Sequence, residues 1–277
     1  MKPLAFYFFS LITLLPLVAL GQNQVLIDYV DAQRIQLNEK QQRLLDVITD
    51  RPESKNVRLI QIASPEQVKN TSLIKLNLYQ REVMDVQNKN IRTTTDGAVI
   101  WEGKTDDPTA TFLFVVSENN EVSGFIISRS LNYAIEPLTD GIQALIEIDA
   151  TKFAPEGEPI EVEQSKEDKN KAAKNFSTSD EIDVLVAYTN RAKLNSGNID
   201  NLIDGSSALA NGSFSNSSIS ATLNIVKKVE VNYLESGSFA TDLIALRNKT
   251  DGEMDNIHTL REQYGADLVV LILGSGD

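Results

Sequence analysis

The sequence predicts an α+β protein: a β-rich first part, a charged connector, and a second, α/β part on a mixed sheet. Three observations predict it. Short strand-like runs follow one another from Val57 to Ile148 with few helix signals between them. Pro155 to Asp180 is crowded with charge and poor in apolar residues. From Glu181 onward strand-like and helix-like runs alternate, which implies parallel or mixed pairing with helices on the sheet faces. The expected divisions are residues 1–21, 22–154, 155–180 and 181–277.

The N-terminus has the order of a secretory signal peptide. Lys2 precedes an apolar run from Pro3 to Leu20, and Ala19-Leu20-Gly21 supplies small residues before a cut ahead of Gln22. The other reading, a membrane anchor, needs a longer span than this run with Pro16 inside it. Cleavage after Gly21 makes the mature protein secreted or periplasmic. No later segment is apolar and long enough to cross a bilayer, so no membrane partner is expected after cleavage.

Ile27 to Ile48 reads as a helix, with Ile27, Tyr29, Val30, Ile35, Leu44, Leu45, Val47 and Ile48 apart from a charged, glutamine-rich face. Ser64-Pro65-Glu66 reads as an N-cap with proline at the first helical position. Ile74, Leu76 and Leu78 then alternate with Lys75 and Asn77, and strands are expected at 98–101, 111–116, 124–128, 133–136 and 142–148. Glu118-Asn119-Asn120-Glu121 and Thr139-Asp140-Gly141 are turn signals between them. Strands so closely spaced suggest a small antiparallel sandwich or curled sheet, with Trp101 as a packing residue. The connector has too little apolar surface to offset its ordering entropy. It is expected to be exposed, either as a plain spacer or as a protease-accessible hinge.

In the second part, Ile182 to Tyr188 and Ala221 to Leu234 read as strands. Helices are expected from Ser196 to about Ala210, from Asp242 to Asn248 and from Met254 to Tyr264. Asn211 to Ser218 is a serine- and asparagine-rich patch after the first of them. The run from Leu268 to Leu273 has no polar alternation, so both its faces are expected to be buried. Gly274-Ser275-Gly276-Asp277 follows it directly, and the second part is therefore read as incomplete.

The 277 residues carry a formal net charge of -13 and no cysteine, with a pI near 4.6. Such acidity argues against nucleic acid or an anionic membrane as partner. The lack of cysteine removes disulfides, thiolate metal sites and a cysteine nucleophile. His258 is the single histidine. Asp255 and Glu262 are placed to share a helix face with it, but one imidazole and two carboxylates make a poor tetrahedral set, and a structural histidine is the better reading. A Ser-His-Asp triad would need the same histidine, and no G-x-S-x-G elbow accompanies a serine. Leu273-Gly274-Ser275-Gly276 is a weak hint of a phosphate-binding turn, without the following helix that such a turn needs. Sequons at Asn70, Asn175, Asn211, Asn216 and Asn248 are chance matches in so polar a chain. No residue is assigned as catalytic, cofactor-binding or metal-ligating.

Ile182-Asp183-Val184-Leu185-Val186-Ala187-Tyr188-Thr189, the Asn211 to Ser218 patch, Val231-Asn232-Tyr233 and Tyr264-Gly265-Ala266-Asp267-Leu268-Val269-Val270-Leu271, with Asp255 and Arg261, resemble the start of the catalytic domain of bacterial reprolysin-like (adamalysin-type, metzincin) zinc metalloproteases. Gly124 to Ile127 and Tyr133 to Pro137 resemble the propeptides of the same secreted enzymes. The resemblance implies a β-rich propeptide domain followed by an incomplete, metzincin-like α/β catalytic domain with a mixed sheet. It implies zinc in the intact enzyme, held by an H-E-x-x-H-x-x-G-x-x-H helix that these residues do not contain, so no zinc is expected on this chain. It implies protein or peptide substrates, and a propeptide partnered with its own catalytic domain. The function expected is that of a precursor fragment of a secreted zinc metalloendopeptidase, inactive by itself. The alternative is a non-catalytic exported binding or adhesion protein that keeps a protease-like α/β half. A nucleotide-binding α/β domain is a remoter third.

Overall fold

A computed structural model describes residues 25–31, 35–153 and 180–274. The signal peptide expected at 1–21 and nearly all of the connector expected at 155–180 lie outside the described residues. The first body is a nine-stranded antiparallel sheet: β1 (Ile27–Tyr29), β2 (Ser54–Ile62), β3 (Leu73–Leu76), β4 (Met84–Thr93), β5 (Val99–Lys104), β6 (Thr111–Val116), β7 (Val122–Ile127), β8 (Asn132–Thr139) and β9 (Ile142–Ile148). Its order is β1-β2-β9-β8-β7-β6-β5-β4-β3. The two ends of the sheet approach each other. Val25 bridges to Lys75, and the Leu26 amide donates to the Lys75 carbonyl at 2.8 Å. The Asn77 side chain donates to the Ile27 carbonyl at 2.7 Å and accepts from the Ile27 amide at 3.1 Å. The sheet thereby nearly closes into a barrel, which hides the edges that an open sheet leaves unpaired.

Side-chain alternation explains what faces where. On β6, Phe112, Phe114 and Val116 point into the barrel with Trp101, Leu76 and Ile126, while Leu113 and Val115 point outward. Trp101 is fully buried, donates from Nε1 to the Thr71 carbonyl at 2.9 Å, and lies 5.8 Å from the Phe114 ring. Helix α1 (Glu39–Thr49) covers another outer face, setting Leu44 and Ile48 against Ala134, Leu138, Ala144 and Ile146. A capping box starts α1: Asn38 accepts from the Gln41 amide, and the Gln41 side chain accepts from the Asn38 amide. A single turn, α2 (Pro65–Val68), lies between β2 and β3.

The second body runs β10 (Asp180–Thr189), α3 (Asn190–Asn195), α4 (Ile199–Asn216), β11 (Ala221–Val231), α5 (Phe239–Arg247), α6 (Asn256–Tyr264) and β12 (Leu268–Ile272). Its three strands are all parallel, in the order β11-β10-β12. Ile199 and Ile203 of α4 pack with Val184 and Val186 on one face of this sheet. Ile257 and Met254 pack with Leu185 and Ala187 on the other.

The α+β expectation with an α/β, metzincin-like mixed sheet is overturned. The described chain is mostly β, dominated by the nine-stranded antiparallel barrel-like sheet, and its other sheet has three strands with no antiparallel member. Alternating strand and helix runs do not show which sheet a strand joins, and long-range closure makes the first sheet the larger one. Three local expectations also change. Ile27–Tyr29 is a strand, because pairing with Ile60–Ile62 outweighs a helical spacing of apolar residues that the first few positions share. Helix α4 continues through Asn211 to Asn216, where Asn211 clamps the edge of β11, accepting from the Leu223 amide at 2.7 Å and donating to its carbonyl at 3.0 Å. On β12, Leu268 and Val270 are 50% and 44% exposed instead of buried.

Candidate functional site

In parallel sheets, ligands favour the crevice outside the carboxyl ends of strands where the strand order reverses. Here the chain goes from β10 to β11 on one side and returns to β12 on the other, so the reversal lies beside β10. The carboxyl ends there are tied together by Glu235, whose side chain is 3% exposed. One of its oxygens accepts from the Thr189 hydroxyl and from the Gly274 amide, the latter at 2.7 Å. The other lies 3.7 Å from Arg191. Thr189 also caps α3, its hydroxyl oxygen accepting from the Ala192 amide at 3.0 Å. Gly274 must be glycine here, because a Cβ would stand 2.5 Å from the Arg191 carbonyl carbon. Its amide already serves Glu235, so the weak phosphate-turn reading gains nothing from the structure.

The barrel forms the opposite wall of this crevice, leaving a cleft of about 460 Å³. Arg51 at the end of α1 makes a bidentate pair with Glu136 of β8 at 2.5 and 3.0 Å, and donates to the Asn195 carbonyl at 3.4 Å. Burial alone would lower the Arg51 pKa, but the Glu136 charge and hydrogen bond outweigh it and raise it above the ordinary arginine value. Asn195 donates to the Gly274 carbonyl at 3.0 Å, and Arg191, 59% exposed, is the more accessible of the two cations. The cleft is therefore lined by two guanidinium groups, side-chain amides and the carboxylates of Asp50 and Glu136, with Arg51 committed to Glu136 and Arg191 turned more to solvent. Of these residues sequence reasoning singled out only Gly274, for a phosphate turn that the structure does not support, while Thr189 and Glu136 fell inside resemblance runs without a role. Glu235 is one of 39 acidic residues, and nothing local separates it from the rest.

Apart from Leu273 and Gly274, the residues weighed from the sequence do not meet in this cleft. His258 on α6 places Nε2 3.0 Å from the Asn248 carbonyl, a local tie between α5 and α6. Asp255 accepts from the Gly252 amide at 3.2 Å as part of the turn before α6. Arg261 donates to the carbonyls of Ala266 at 3.1 Å and Asp267 at 3.0 Å. Gly265 ends α6 in the left-handed region at φ 64°, with the amides of Gly265 and Ala266 returning to Glu262 and Arg261. Asp267 then accepts from the Asp183 amide at 3.0 Å, setting the register of β12 against β10. The Tyr264-Gly265-Ala266-Asp267 run is thus a helix stop and strand start. Among the described residues, no three of His, Cys, Asp and Glu come together so as to hold a metal ion. The described residues do not fit a catalytic metal.

No family model matches the chain. Three curated relatives share the name peptidyl-Asp metalloendopeptidase. That of Xanthomonas campestris pv. campestris is 28% identical over 251 residues, covering 83% of this chain and 60% of the relative. Those of Stenotrophomonas maltophilia strains R551-3 and K279a are 31% and 29% identical over 225 residues, each covering 73% of this chain and 53% of the relative. The chain spans about half to three-fifths of the length of these relatives. One solved structure, described as a chaperone-substrate complex, aligns with 39% of this chain and 95% of its own at 16% identity and a TM-score of 0.31, and neither fold nor function follows from it. The curated matches relate the chain to metalloendopeptidases, whose name implies a metal ion in the intact enzymes.

Proposed function

We propose that this chain is the leading portion of an exported, zinc-dependent metalloendopeptidase of reprolysin-like affinity. In this reading the barrel is the propeptide and the parallel-sheet body begins the catalytic domain. The observation that carries the reading is the match to three peptidyl-Asp metalloendopeptidases across both bodies, over 225 to 251 residues. The signal-like Lys2 to Gly21 segment supports export. Among the described residues no helix is long and apolar enough to cross a membrane. The substrates are proteins or peptides, cut at bonds involving aspartate as the relatives' name indicates. The zinc ligands belong to the portion of the relatives that these residues do not span, and no step of the reaction is assigned to a residue here.

The test is the coding sequence beyond codon 277 and its product. The reading expects an in-frame zinc-binding helix, and an extended product that cleaves aspartate-containing peptides and loses activity to a chelator. A longer product without such a helix, or one that hydrolyses no peptide, overturns it.

A further inference from the structure

The inner face of the barrel changes character toward one end. Along β2, Ile62 and Ile60 point into the core, and Arg58 follows them at the same alternation. Arg58 pairs across with Leu145 of β9. Glu147 follows Leu145 on that face and pairs across with Tyr133 of β8. Leu145 and Tyr133 are buried and form the floor of an open mouth, while polar side chains form its wall. The β3–β4 loop closes the remaining side with Tyr79 and Arg81. The mouth encloses about 400 Å³, within the range of small-molecule sites, and barrel mouths are a common place for them.

Three cations line this mouth, and they differ in what they already hold. Lys55 is committed: its ammonium lies 2.7 Å from one oxygen of Glu147, and the Asn56 amide donates to the other at 2.7 Å. Glu147 is thereby neutralised, with both oxygens occupied. Arg58, half-buried, stacks its guanidinium on the Tyr79 ring at 3.3 Å and has no acceptor or carboxylate partner among the described residues. Stacking covers one face of the guanidinium and leaves its N–H edge free. Arg81 donates from Nε to the Tyr133 hydroxyl at 3.4 Å and from one terminal nitrogen to the Ser130 carbonyl at 3.3 Å. Its other terminal nitrogen and the Tyr133 hydroxyl proton have no acceptor among the described residues. Two uncommitted guanidinium groups and a phenol therefore line one small space in a chain whose net charge is -13. A half-buried donor without an acceptor is costly, and a bound oxyanion is the group that satisfies it.

We propose that the barrel mouth is a binding site for a small dianionic oxyanion, a phosphate or a dicarboxylate, held between the Arg58 and Arg81 guanidinium groups with the Tyr133 hydroxyl as a third donor. Guanidinium forks match the paired oxygens of both anions, whereas the acidic surface elsewhere repels them. Lys55 and Glu147 shape the rim without adding net charge. All of these residues belong to the barrel, so binding there is independent of hydrolysis by any catalytic domain.

The experiment is isothermal titration calorimetry of the purified 277-residue chain with inorganic phosphate and, separately, with succinate, at low ionic strength, where such contacts are least screened. The expected result is saturable binding of one anion per chain in at least one arm. Tighter phosphate binding assigns a phosphorylated ligand, and tighter succinate binding a carboxylate-bearing one. Arg58→Gln and Arg81→Gln should each weaken the binding about tenfold or more, the scale of losing a charged hydrogen bond. Arg58→Lys, which keeps the charge and loses the fork, should recover only part of it. Arg92→Gln, at a cation paired with Glu102 outside the mouth, should change nothing. Trp101 fluorescence reports whether the barrel stays folded. Arg81 is exposed in a loop, so Arg81→Gln decides should Arg58→Gln not fold. No saturable binding in either arm, unchanged binding in Arg58→Gln and Arg81→Gln, or an equal loss in Arg92→Gln overturns the proposal.

Discussion

Asp242 is 1% exposed and sits between Tyr233, whose hydroxyl donates at 2.7 Å, and the Ser236 amide, which donates at 3.0 Å. Burial would push its carboxyl up, but these two hydrogen bonds outweigh that and hold it below the ordinary aspartate value. Tyr233, half-buried and beside that carboxylate, is pushed up to about 12. A carboxyl pKa depressed by folding contributes stability that is complete above its unfolded value, near 4 for aspartate, and is lost as pH falls through the folded value. Asp242→Asn should therefore destabilise the chain by about 1–3 kcal/mol at pH 7. Its unfolding midpoint in urea should approach that of the wild type as pH drops below about 4. A constant difference from pH 7 to pH 3 would contradict this account of the site.

The joint between α3 and α4 depends on Gly197, at φ 64°, where a Cβ would stand 2.0 Å from the Pro137 carbonyl oxygen. A left-handed backbone disfavours any side chain by about 1 kcal/mol, and a backbone clash cannot be relieved by a rotamer change. Gly197→Ala should cost about 2 kcal/mol or more in thermal or urea unfolding, whereas Gly212→Ala, with nothing within 4 Å, should be neutral or stabilising. Equal effects would contradict the packing described. Elements of this kind were legible only in part. The hairpins β6–β7 and β8–β9 follow from turn residues at 118–121 and 139–141 flanked by apolar runs. The first strand did not, because three residues carry too little periodicity and its partner lies at Ile60–Ile62. The extension of α4 was hidden by serine and asparagine, which locally favour turns; Asn211 spends its amide on β11 instead. Glu235, Arg51–Glu136 and Lys228–Asp96 join residues far apart in sequence, and no local pattern marks them.

The molecule as a whole is a nearly closed sheet docked on a small open one, and the two differ in how they treat their edges. The barrel ends meet through Asn77, whereas β12 pairs with β10 on one side and leaves Leu268 and Val270 about half exposed. An apolar strand with a free edge is a template for self-association. Val270→Lys should raise the monomeric fraction of the purified chain in light scattering without lowering its unfolding temperature by more than about 3 °C. A wild-type chain that stays monomeric at high concentration would contradict that reading of β12. The expected burial of both faces of β12 came from its unbroken apolar run. That run marks what a strand can bury, and the cover it receives is decided by neighbouring layers.

Metal content tests the account most directly. The purified 277-residue chain, dialysed against buffer with micromolar zinc and then against metal-free buffer, is measured by mass spectrometry of its elements and assayed on aspartate-containing peptides. The account predicts far less than one zinc per chain and no hydrolysis, since no suitable ligand set exists among the described residues. One tightly held zinc per chain, together with chelator-sensitive cleavage, would contradict it.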